Sequence, residues 1–313
     1  MFCVIAAIIL SILGVFSASN RVLAKEALDC VFRRVTLRPC NTGFDEKMKA
    51  RILGSVINRS EKVARFLNQY FEVLAWTFFV LLLASGIFTI RGFYLFYTTG
   101  SCNGLNSTAL CVFDPTGKNN ETSVIDEGCR VDQAGRSTEL TLKDVNLNGF
   151  PVLNPDSPDK IVFIGCYACD YTRKAYPLVK RLVEDTGASF TFLEYPVKEK
   201  SDLDARFAYC VYQQDPTVFW EYSDQLFAAE KGDLDSESFL SETVLAVGLD
   251  EVIIKACVND PATETGFQSQ QQQVLYTNFR GTPTVFINGE VLVGPKPYRV
   301  YAILLDGFFY WLK

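Results

Sequence analysis

Histidine is absent from this 313-residue sequence. Without an imidazole, the chain cannot form a Ser-His-Asp or Cys-His nucleophile pair and cannot ligate zinc or haem through histidine. Methionine is also scarce, with two residues, which leaves little thioether for a soft metal such as Cu(I). Cysteine, in contrast, occurs ten times, which is many for a reduced cytosolic protein. We therefore expect the chemistry of this protein to depend on thiols.

Charge is distributed unevenly along the chain, although the net charge is only −6. Residues 18–69 hold eleven Lys and Arg against five Asp and Glu, whereas residues 92–313 hold eighteen against thirty. Such a division is typical of a chain that crosses a membrane and is not typical of a nucleic-acid site. We therefore expect a lipid bilayer and no nucleic acid among the partners.

Two uncharged stretches flank the basic segment, and each predicts a transmembrane helix. Residues 1–20 carry no charge, and Val73–Ile90 provides eighteen uncharged residues, where a span needs about 17 or more. We predict spans over residues 1–20 and 70–99, with residues 21–69 in the cytoplasm. The alternatives are a cleaved signal peptide for the first stretch and a buried core helix for the second. The positive-inside rule places everything after Arg91 on the extracytoplasmic side of a cell membrane.

A polar segment, residues 100–146, follows the second span and is rich in Asn, Asp, Gly, Ser and Pro. This composition predicts a loop-rich stalk, with short strands near residues 128–132 and 139–142.

The remaining sequence, residues 147–313, shows the periodicities of an α/β domain. Lys160–Gly165 is a short apolar run that predicts a buried strand, and a helical pattern and a second strand follow it. Together these three elements form a β-α-β unit with parallel strands. The predicted elements are, in order, a strand at Lys160–Gly165, a helix at Tyr167–Glu184, a strand at Ser189–Val197, a mostly helical region at 201–280, strands at Thr284–Ile287 and Val291–Val293 joined through Asn288-Gly289, and a helix from Tyr298.

The sequence Cys166-Tyr167-Ala168-Cys169 is a C-x-x-C motif at the junction between the buried strand and the helix. At a helix N-terminus, backbone N–H groups and the macrodipole stabilise a thiolate, which is the form that attacks disulfides. We expect Cys166 to be an accessible nucleophile and Cys169, one turn later, to be the shielded thiol that closes a ring with it. A zinc half-site or an inert disulfide is the alternative, but the chain has neither a second C-x-x-C nor a histidine.

A second motif, Gly281-Thr282-Pro283-Thr284, directly precedes a predicted strand. Proline is unfavourable inside a sheet, because it removes a hydrogen-bond donor from the ladder. A cis bond before Pro283 would expose the backbone of Thr282 for pairing with an extended substrate peptide. A trans-proline turn is the alternative.

The order of these elements resembles the DsbA-like thiol–disulfide oxidoreductases of the thioredoxin superfamily. The resemblance covers about residues 147–313 and includes the approach Phe150–Pro155, the segment Phe219–Tyr222 and the sequence GTPTVFINGE. It implies a thioredoxin-like fold with a helical insert at residues 201–280, preceded by the two transmembrane helices. It also implies Cys166 as nucleophile, Cys169 as resolving thiol and Pro283 as a cis-proline. The dipeptide Tyr167-Ala168 departs from the usual Pro-His or Pro-Tyr type, so the direction of electron transfer stays open.

Other cysteines raise a question of pairing. For Cys210 and Cys257, in the helical region, we expect a structural disulfide that contributes about 3–4 kcal/mol, with two buried thiols as the alternative. The predicted exterior part holds seven cysteines, an odd number. One of Cys102, Cys111 and Cys129 is therefore unpaired, relays electrons to Cys166 or joins another chain. We expect Cys30 and Cys40, on the predicted cytoplasmic side, to be reduced, with a local disulfide or metal clip as the alternative.

Glu194, at the end of the second predicted strand, is a candidate for a buried carboxylate that tunes the thiol pair. A solvent-facing position at the sheet edge is the alternative.

These observations predict a membrane-anchored thiol–disulfide oxidoreductase that uses no cofactor or metal and acts on cysteines of exported proteins. An unidentified redox partner would return Cys166 and Cys169 to their starting state. The alternative is a non-catalytic or soft-metal-binding thioredoxin-like module at the membrane. A membrane scaffold whose domain has lost turnover is a third hypothesis.

Overall fold

In this computed structural model, the structure describes residues 7, 10–11, 18–36, 38, 44–57, 60–121, 129–132, 137–197 and 202–312. The chain separates into two compact units, Met1–Ile90 and Arg91–Lys313, each with its own contacts.

Most of the described residues of the first unit lie in helices. Helix α1 spans Ala18–Val35, α2 spans Phe44–Ile57 and α3 spans Glu61–Thr99, which continues into the second unit. Helical periodicity over residues 46–70 predicts a single helix, but this stretch is divided between α2 and α3. Cys30 is buried against Ala24 and Ala27 of the same helix and is disulfide-bonded. The prediction of a reduced thiol at this position is wrong.

Among the described residues, one segment is long and apolar enough to cross a membrane. This segment is Val73–Thr99 within α3; its most apolar eighteen residues have a mean hydropathy of 2.3, and none of these eighteen is buried inside the protein. Most of the other predicted span, residues 1–20, lies outside the described residues, so the structure does not show a pair of transmembrane helices.

A five-stranded mixed sheet forms the centre of the second unit, in the spatial order β1-β3-β2-β4-β5. The strands are β1 (Val152–Leu153), β2 (Lys160–Gly165), β3 (Ser189–Glu194), β4 (Thr284–Ile287) and β5 (Glu290–Val293). Strand β2 pairs in parallel with β3 and antiparallel with β4, so it lies between two neighbours. Its side chains alternate between two cores, with Ile161 and Phe163 in one and Val162 and Ile164 in the other. This central position explains why the sequence of β2 is apolar on both faces.

Helices form both the connection from β2 to β3 and the insert between β3 and β4. Helix α4 (Asp170–Thr186) connects β2 to β3. The insert contains α5 (Asp202–Gln214), α6 (Phe219–Ala228), α7 (Glu237–Ala246), α8 (Glu251–Val258) and α9 (Pro261–Tyr276), and α10 (Tyr298–Asp306) follows β5. The β4–β5 turn has positive φ at both Asn288 (47°) and Gly289 (93°), as a two-residue hairpin with right-handed twist requires.

The polar segment that was expected to form a stalk belongs to the same compact unit as the sheet. The Asn106 side chain accepts a hydrogen bond from the Val293 N–H at 2.7 Å and donates one to the Val291 carbonyl at 2.8 Å. Farther along, the Thr141 N–H donates to the Thr277 carbonyl at 3.0 Å. Because the segment is hydrogen-bonded to β5 and to Thr277, it packs against the domain that contains the sheet.

Candidate active site

The first site element is the connection from β2 to α4. Gly165 ends the strand, and a Cβ there would lie 2.8 Å from both Phe163 Cε1 and Thr172 Cγ2, so only glycine fits without displacement. After it, the Cys169 N–H donates to the Cys166 carbonyl at 3.1 Å and closes a turn. Cys169 is the N-cap residue of α4. The helix therefore begins after the C-x-x-C motif, three residues later than the predicted start at Tyr167.

Both cysteines of the motif are buried, each with 0 % of its surface exposed. Burial raises the pKa of the Cys166 thiol to about 12, and the charges of Glu194 and Asp204 act in the same direction. The prediction that Cys166 is an accessible thiolate is therefore wrong for the disulfide form seen here. The helix dipole contributes about 0.3–1 kcal/mol, whereas removing an anion from water costs several kcal/mol, so desolvation dominates.

Cys169 forms its disulfide with Cys129 of the polar segment, with a Cα–Cα distance of 6.0 Å. Cys166 carries a thiol. The expected ring between Cys166 and Cys169 is thus replaced by a bond to a residue forty positions earlier in the chain. The odd number of exterior cysteines was the one sign of this in the sequence, and it did not distinguish Cys129 from Cys102 and Cys111, which pair with each other.

The loop before β4 lies directly beside this disulfide. The Thr282–Pro283 peptide bond is cis, and Cys169 Sγ lies 3.4 Å from the Thr282 carbonyl oxygen. The Thr282 N–H, which we expected to be available to a substrate, donates to the Cys129 carbonyl at 3.0 Å. The C-x-x-C motif and the cis-proline loop are therefore in contact. Cys129, from the polar segment, is bonded to both of them.

Glu194 lies close to the motif. It pairs in register with Gly165 on the adjacent strand, and Gly165 directly precedes Cys166. Both carboxylate oxygens of Glu194 are buried, so the alternative of a solvent-facing position at the sheet edge does not hold. Burial raises the pKa of Glu194 well above its usual range, and the charge of Asp204 raises it further. Neither Glu194 carboxylate oxygen has a hydrogen-bond partner of ordinary geometry among the described residues.

Asp204, near the start of α5, is a buried carboxyl group that the sequence analysis missed. Its side chain has 0 % exposure, and burial raises its pKa to about 8. One oxygen accepts a hydrogen bond from the Ala205 N–H at 2.9 Å. An acidic residue in a first helical turn normally complements the helix dipole. The available signal was its position on one helix face with the buried residues Ala208 and Val211, at i+4 and i+7.

The Tyr167 side chain ties the motif to the helical insert. Its ring lies 4.7 Å from that of Phe227, and its hydroxyl donates to Ser223 Oγ at 3.1 Å. Arg173 strengthens this connection, because its Nε donates to the Tyr167 carbonyl at 2.6 Å and its Nη2 to the Leu226 carbonyl at 3.2 Å. The unusual residue of the dipeptide is therefore a packing residue between sheet and insert.

The remaining predicted pair, Cys210 and Cys257, forms a disulfide between α5 and α8 with a Cα–Cα distance of 6.0 Å. It lies within the insert and closes a loop of 47 residues.

A parallel β-α-β unit, a C-x-x-C before its helix and a cis-proline loop against the second cysteine together define a class of protein, the thiol–disulfide oxidoreductases with a thioredoxin-like fold. The sequence profile of the DSBA-like thioredoxin domain matches residues 129–305, which is more than half of the chain. This chain belongs to that family. The match begins at Cys129, eighteen residues before the region in which we recognised the resemblance.

Two relatives have the same name, "Probable disulfide bond formation protein D", and come from Bacillus anthracis and Bacillus cereus. Each is 26% identical over 149 residues, which cover 44% of this chain and 68% of the relative. Among solved structures, the chain is similar to alpha-DsbA2 from Wolbachia pipientis, with 23% identity, a TM-score of 0.45 and coverage of 49% of this chain and 83% of that one. It is also similar to BdbD from Bacillus subtilis, with 19% identity, a TM-score of 0.45 and coverage of 52% and 93%.

Proposed function

We propose that this protein is a membrane-anchored enzyme that exchanges disulfides with cysteines of exported proteins. Cys166 is the nucleophile, Cys169 is the resolving thiol, and the Thr282–Pro283 loop provides the backbone edge for the substrate peptide. The observation that carries this proposal is the 3.4 Å approach of Cys169 Sγ to the Thr282 carbonyl, beside the C-x-x-C turn. This arrangement places an extended peptide on the loop within reach of the motif.

In the oxidising direction, a substrate thiolate attacks Cys166 of a Cys166–Cys169 disulfide, and Cys169 leaves with the electron pair. A second substrate thiolate then attacks the mixed disulfide and releases Cys166. Reduction of a substrate follows the same steps in reverse. The buried carboxyl group of Glu194, whose pKa is raised well above its usual range by burial, supplies a proton-holding group next to the motif.

The proposed anchor is Val73–Thr99, supported by its length and by the mean hydropathy of 2.3 of its most apolar eighteen residues. The charge division across it supports a basic cytoplasmic side and an acidic extracytoplasmic catalytic side. The alternative of a soft-metal module lacks comparable support, because the sulfur of Cys169 is held in a disulfide and is not a thiolate ligand.

Trapping of substrates tests the catalytic roles. The double variant Cys129→Ala/Cys169→Ala leaves Cys166 without either cysteine that could resolve its mixed disulfide. We expect it to accumulate adducts with cysteine-containing exported proteins, visible on non-reducing gels and lost after reduction. The matched control adds Cys166→Ala and should form none. If the double variant and its control give the same adduct pattern, Cys166 is not the nucleophile.

A further inference from the structure

Residues 129–131, here called the Cys129 segment, run along the loop that ends in the cis-proline. The Val131 N–H donates to the Arg280 carbonyl and the Thr282 N–H to the Cys129 carbonyl, both at 3.0 Å. Between these hydrogen bonds, Arg130 and Gly281 form an antiparallel bridge. The segment therefore pairs with the edge formed by residues 280–282 through one antiparallel bridge and its two flanking hydrogen bonds.

This edge is the one that the proposed function assigns to the substrate. Backbone pairing does not depend on side-chain identity, so the same edge accepts any extended peptide, including one from this chain. The Cys129 segment occupies it through antiparallel backbone pairing and brings a cysteine onto Cys169 Sγ. The backbone of the Cys129 segment thus takes the place of a substrate peptide, and the Cys129 sulfur takes the place of a substrate cysteine.

We infer that Cys129 is a third redox-active cysteine, and that the Cys129–Cys169 disulfide is a resting form in which an internal substrate-like segment closes the active site. This inference rests on the proposed roles of Cys166 and Cys169. Release of the segment exposes the edge and generates the Cys166–Cys169 disulfide that acts on external substrates.

The release is an internal thiol–disulfide exchange. The Cys166 thiol loses its proton, and its sulfur attacks Cys169 Sγ to form the Cys166–Cys169 bond. The Cys129–Cys169 bond breaks, and Cys129 leaves with the electron pair and takes up a proton. One disulfide and one thiol are present before and after the step, so no external oxidant or reductant is needed.

Local geometry permits this exchange. The hydrogen bond from the Cys169 N–H to the Cys166 carbonyl closes a four-residue turn, in which the terminal Cα atoms lie within about 7 Å. Disulfides join cysteines whose Cα atoms lie about 4.4–6.8 Å apart. Cys169 is therefore positioned to bond to either cysteine. Burial of Cys166, which opposes its ionisation, favours retention of the resting form.

The closed form has a kinetic consequence. A segment attached through the same chain competes at an effective concentration that reaches the millimolar range. External peptides at micromolar concentration therefore react mainly with the small fraction of molecules in which the segment has left the edge. Removing the segment's sulfur or its backbone pairing should increase the rate of exchange with a peptide.

The direct test is disulfide mapping of the full-length protein in detergent. After equilibration in a series of glutathione redox buffers, exchange is stopped with acid, remaining thiols are alkylated, and linked peptides are quantified by mass spectrometry. We expect both the Cys129–Cys169 and the Cys166–Cys169 linkages among the oxidised molecules. Detection of Cys129 only as an alkylated thiol, or only linked to a second chain, in every buffer would overturn the inference.

Kinetic variants provide the second test, with a fluorescent two-cysteine peptide at micromolar concentration as the probe. We expect Cys129→Ala to exchange with the peptide at least about tenfold faster than the wild type, because the tethered competitor is lost. Val131→Pro keeps all ten cysteines but removes the N–H that donates to Arg280, and it should shift the rate in the same direction. The control Cys102→Ala/Cys111→Ala removes another disulfide of the polar segment and should react at the wild-type rate.

The outcomes separate the inference from the proposed function. Exchange that depends on Cys166 but is equally fast in the wild type, Cys129→Ala and Val131→Pro leaves the proposed function intact and rejects the closing role of Cys129. Absence of Cys166-dependent exchange in all variants, including Cys129→Ala, rejects both. Near-ultraviolet circular dichroism of each variant identifies any that has lost its native packing, and the mapping of the wild type does not depend on them.

Discussion

At the scale of single residues, the site combines sulfur chemistry with two buried carboxyl groups. Glu194 and Asp204 both have a pKa raised by burial, and each charge opposes ionisation of Cys166. A buried acidic group stays neutral near neutral pH when the cost of desolvating its anion exceeds the available stabilisation. Burial, the largest cause of the raised pKa of Cys166, explains why a cysteine so close to a helix start remains a thiol.

The raised pKa of Asp204 predicts a specific pH dependence of stability. The folded state holds the proton up to about pH 8, whereas the unfolded carboxyl loses it near pH 3.9. Its stabilising contribution is therefore complete below about pH 4 and is lost as the pH rises towards 8. We expect Asp204→Asn to reduce the fall in unfolding free energy between pH 5 and pH 8 by about 1–3 kcal/mol. Urea unfolding at several pH values measures this difference.

The matched control is Asp202→Asn in the same helical turn, where the carboxylate side chain is 50% exposed and pairs with Arg206. This substitution should leave the pH dependence close to that of the wild type, because an exposed ion pair contributes little. Glu194 continues to titrate in Asp204→Asn, so the slope should shrink without vanishing. Identical slopes for Asp204→Asn and the wild type would show that the Asp204 carboxyl does not hold a proton in the folded state.

At the scale of secondary-structure elements, the helical insert depends on caps and on a covalent link. The Asp250 and Asp260 side chains accept hydrogen bonds from the Val252 and Ala262 N–H groups at 2.8 and 2.9 Å, and these caps start α8 and α9. Asp260 is followed by Pro261 at the first helical position, where a missing N–H costs nothing. These local signals explain why a Gln-rich stretch of sequence forms a regular helix.

The disulfide between α5 and α8 should contribute more to stability than the one in the polar segment. Cys210–Cys257 spans 47 residues and Cys102–Cys111 spans 9, and the entropy removed from the unfolded chain grows with loop length. We expect Cys210→Ala/Cys257→Ala to lose about 4 kcal/mol and Cys102→Ala/Cys111→Ala about 2.5 kcal/mol. Urea unfolding of the full chain in detergent provides the comparison, and a larger loss for the shorter loop would contradict it.

At the scale of the whole molecule, the family match and the contacts of the polar segment agree on where the catalytic domain begins. The match starts at Cys129, and the hydrogen bonds of Cys129 and Val131 reach Thr282 and Arg280 across the sequence. Because this segment contributes both a β-bridge and a disulfide cysteine, the domain includes residues that composition alone assigns to a connecting region.

The proposed orientation in the membrane predicts a labelling pattern on intact cells. Lys143 and Lys62 are both exposed, and they lie after and before the segment Val73–Thr99. We expect a membrane-impermeant maleimide to label Lys143→Cys and not Lys62→Cys, since the positive-inside rule puts the basic segment in the cytoplasm. The wild type, whose Cys166 is buried, measures the background.

Permeabilised cells supply the control, because both introduced cysteines should then react. Labelling of Lys62→Cys alone on intact cells would reverse the orientation, and equal labelling of both variants on intact cells would show that Val73–Thr99 does not separate them by a membrane.

The amino-acid sequence by itself determined those features that follow from local rules. Strand β2, the Asn288-Gly289 hairpin, most helices of the insert and the position of the C-x-x-C motif all depend on periodicity, turn residues and caps within a few positions. The resemblance to the DsbA-like family rests on the order of these same elements, and the family match confirms it.

Tertiary structure decided what depends on residues far apart in the chain. The bond from Cys169 to Cys129, the burial of Cys166 and the closeness of Asp204 to Glu194 each require the sheet, the insert and the polar segment to be assembled. A helix N-terminus favours a thiolate locally, but the desolvation that opposes it comes from side chains packed around the finished site. The protonation and partner of a buried sulfur therefore depend on the completed three-dimensional packing.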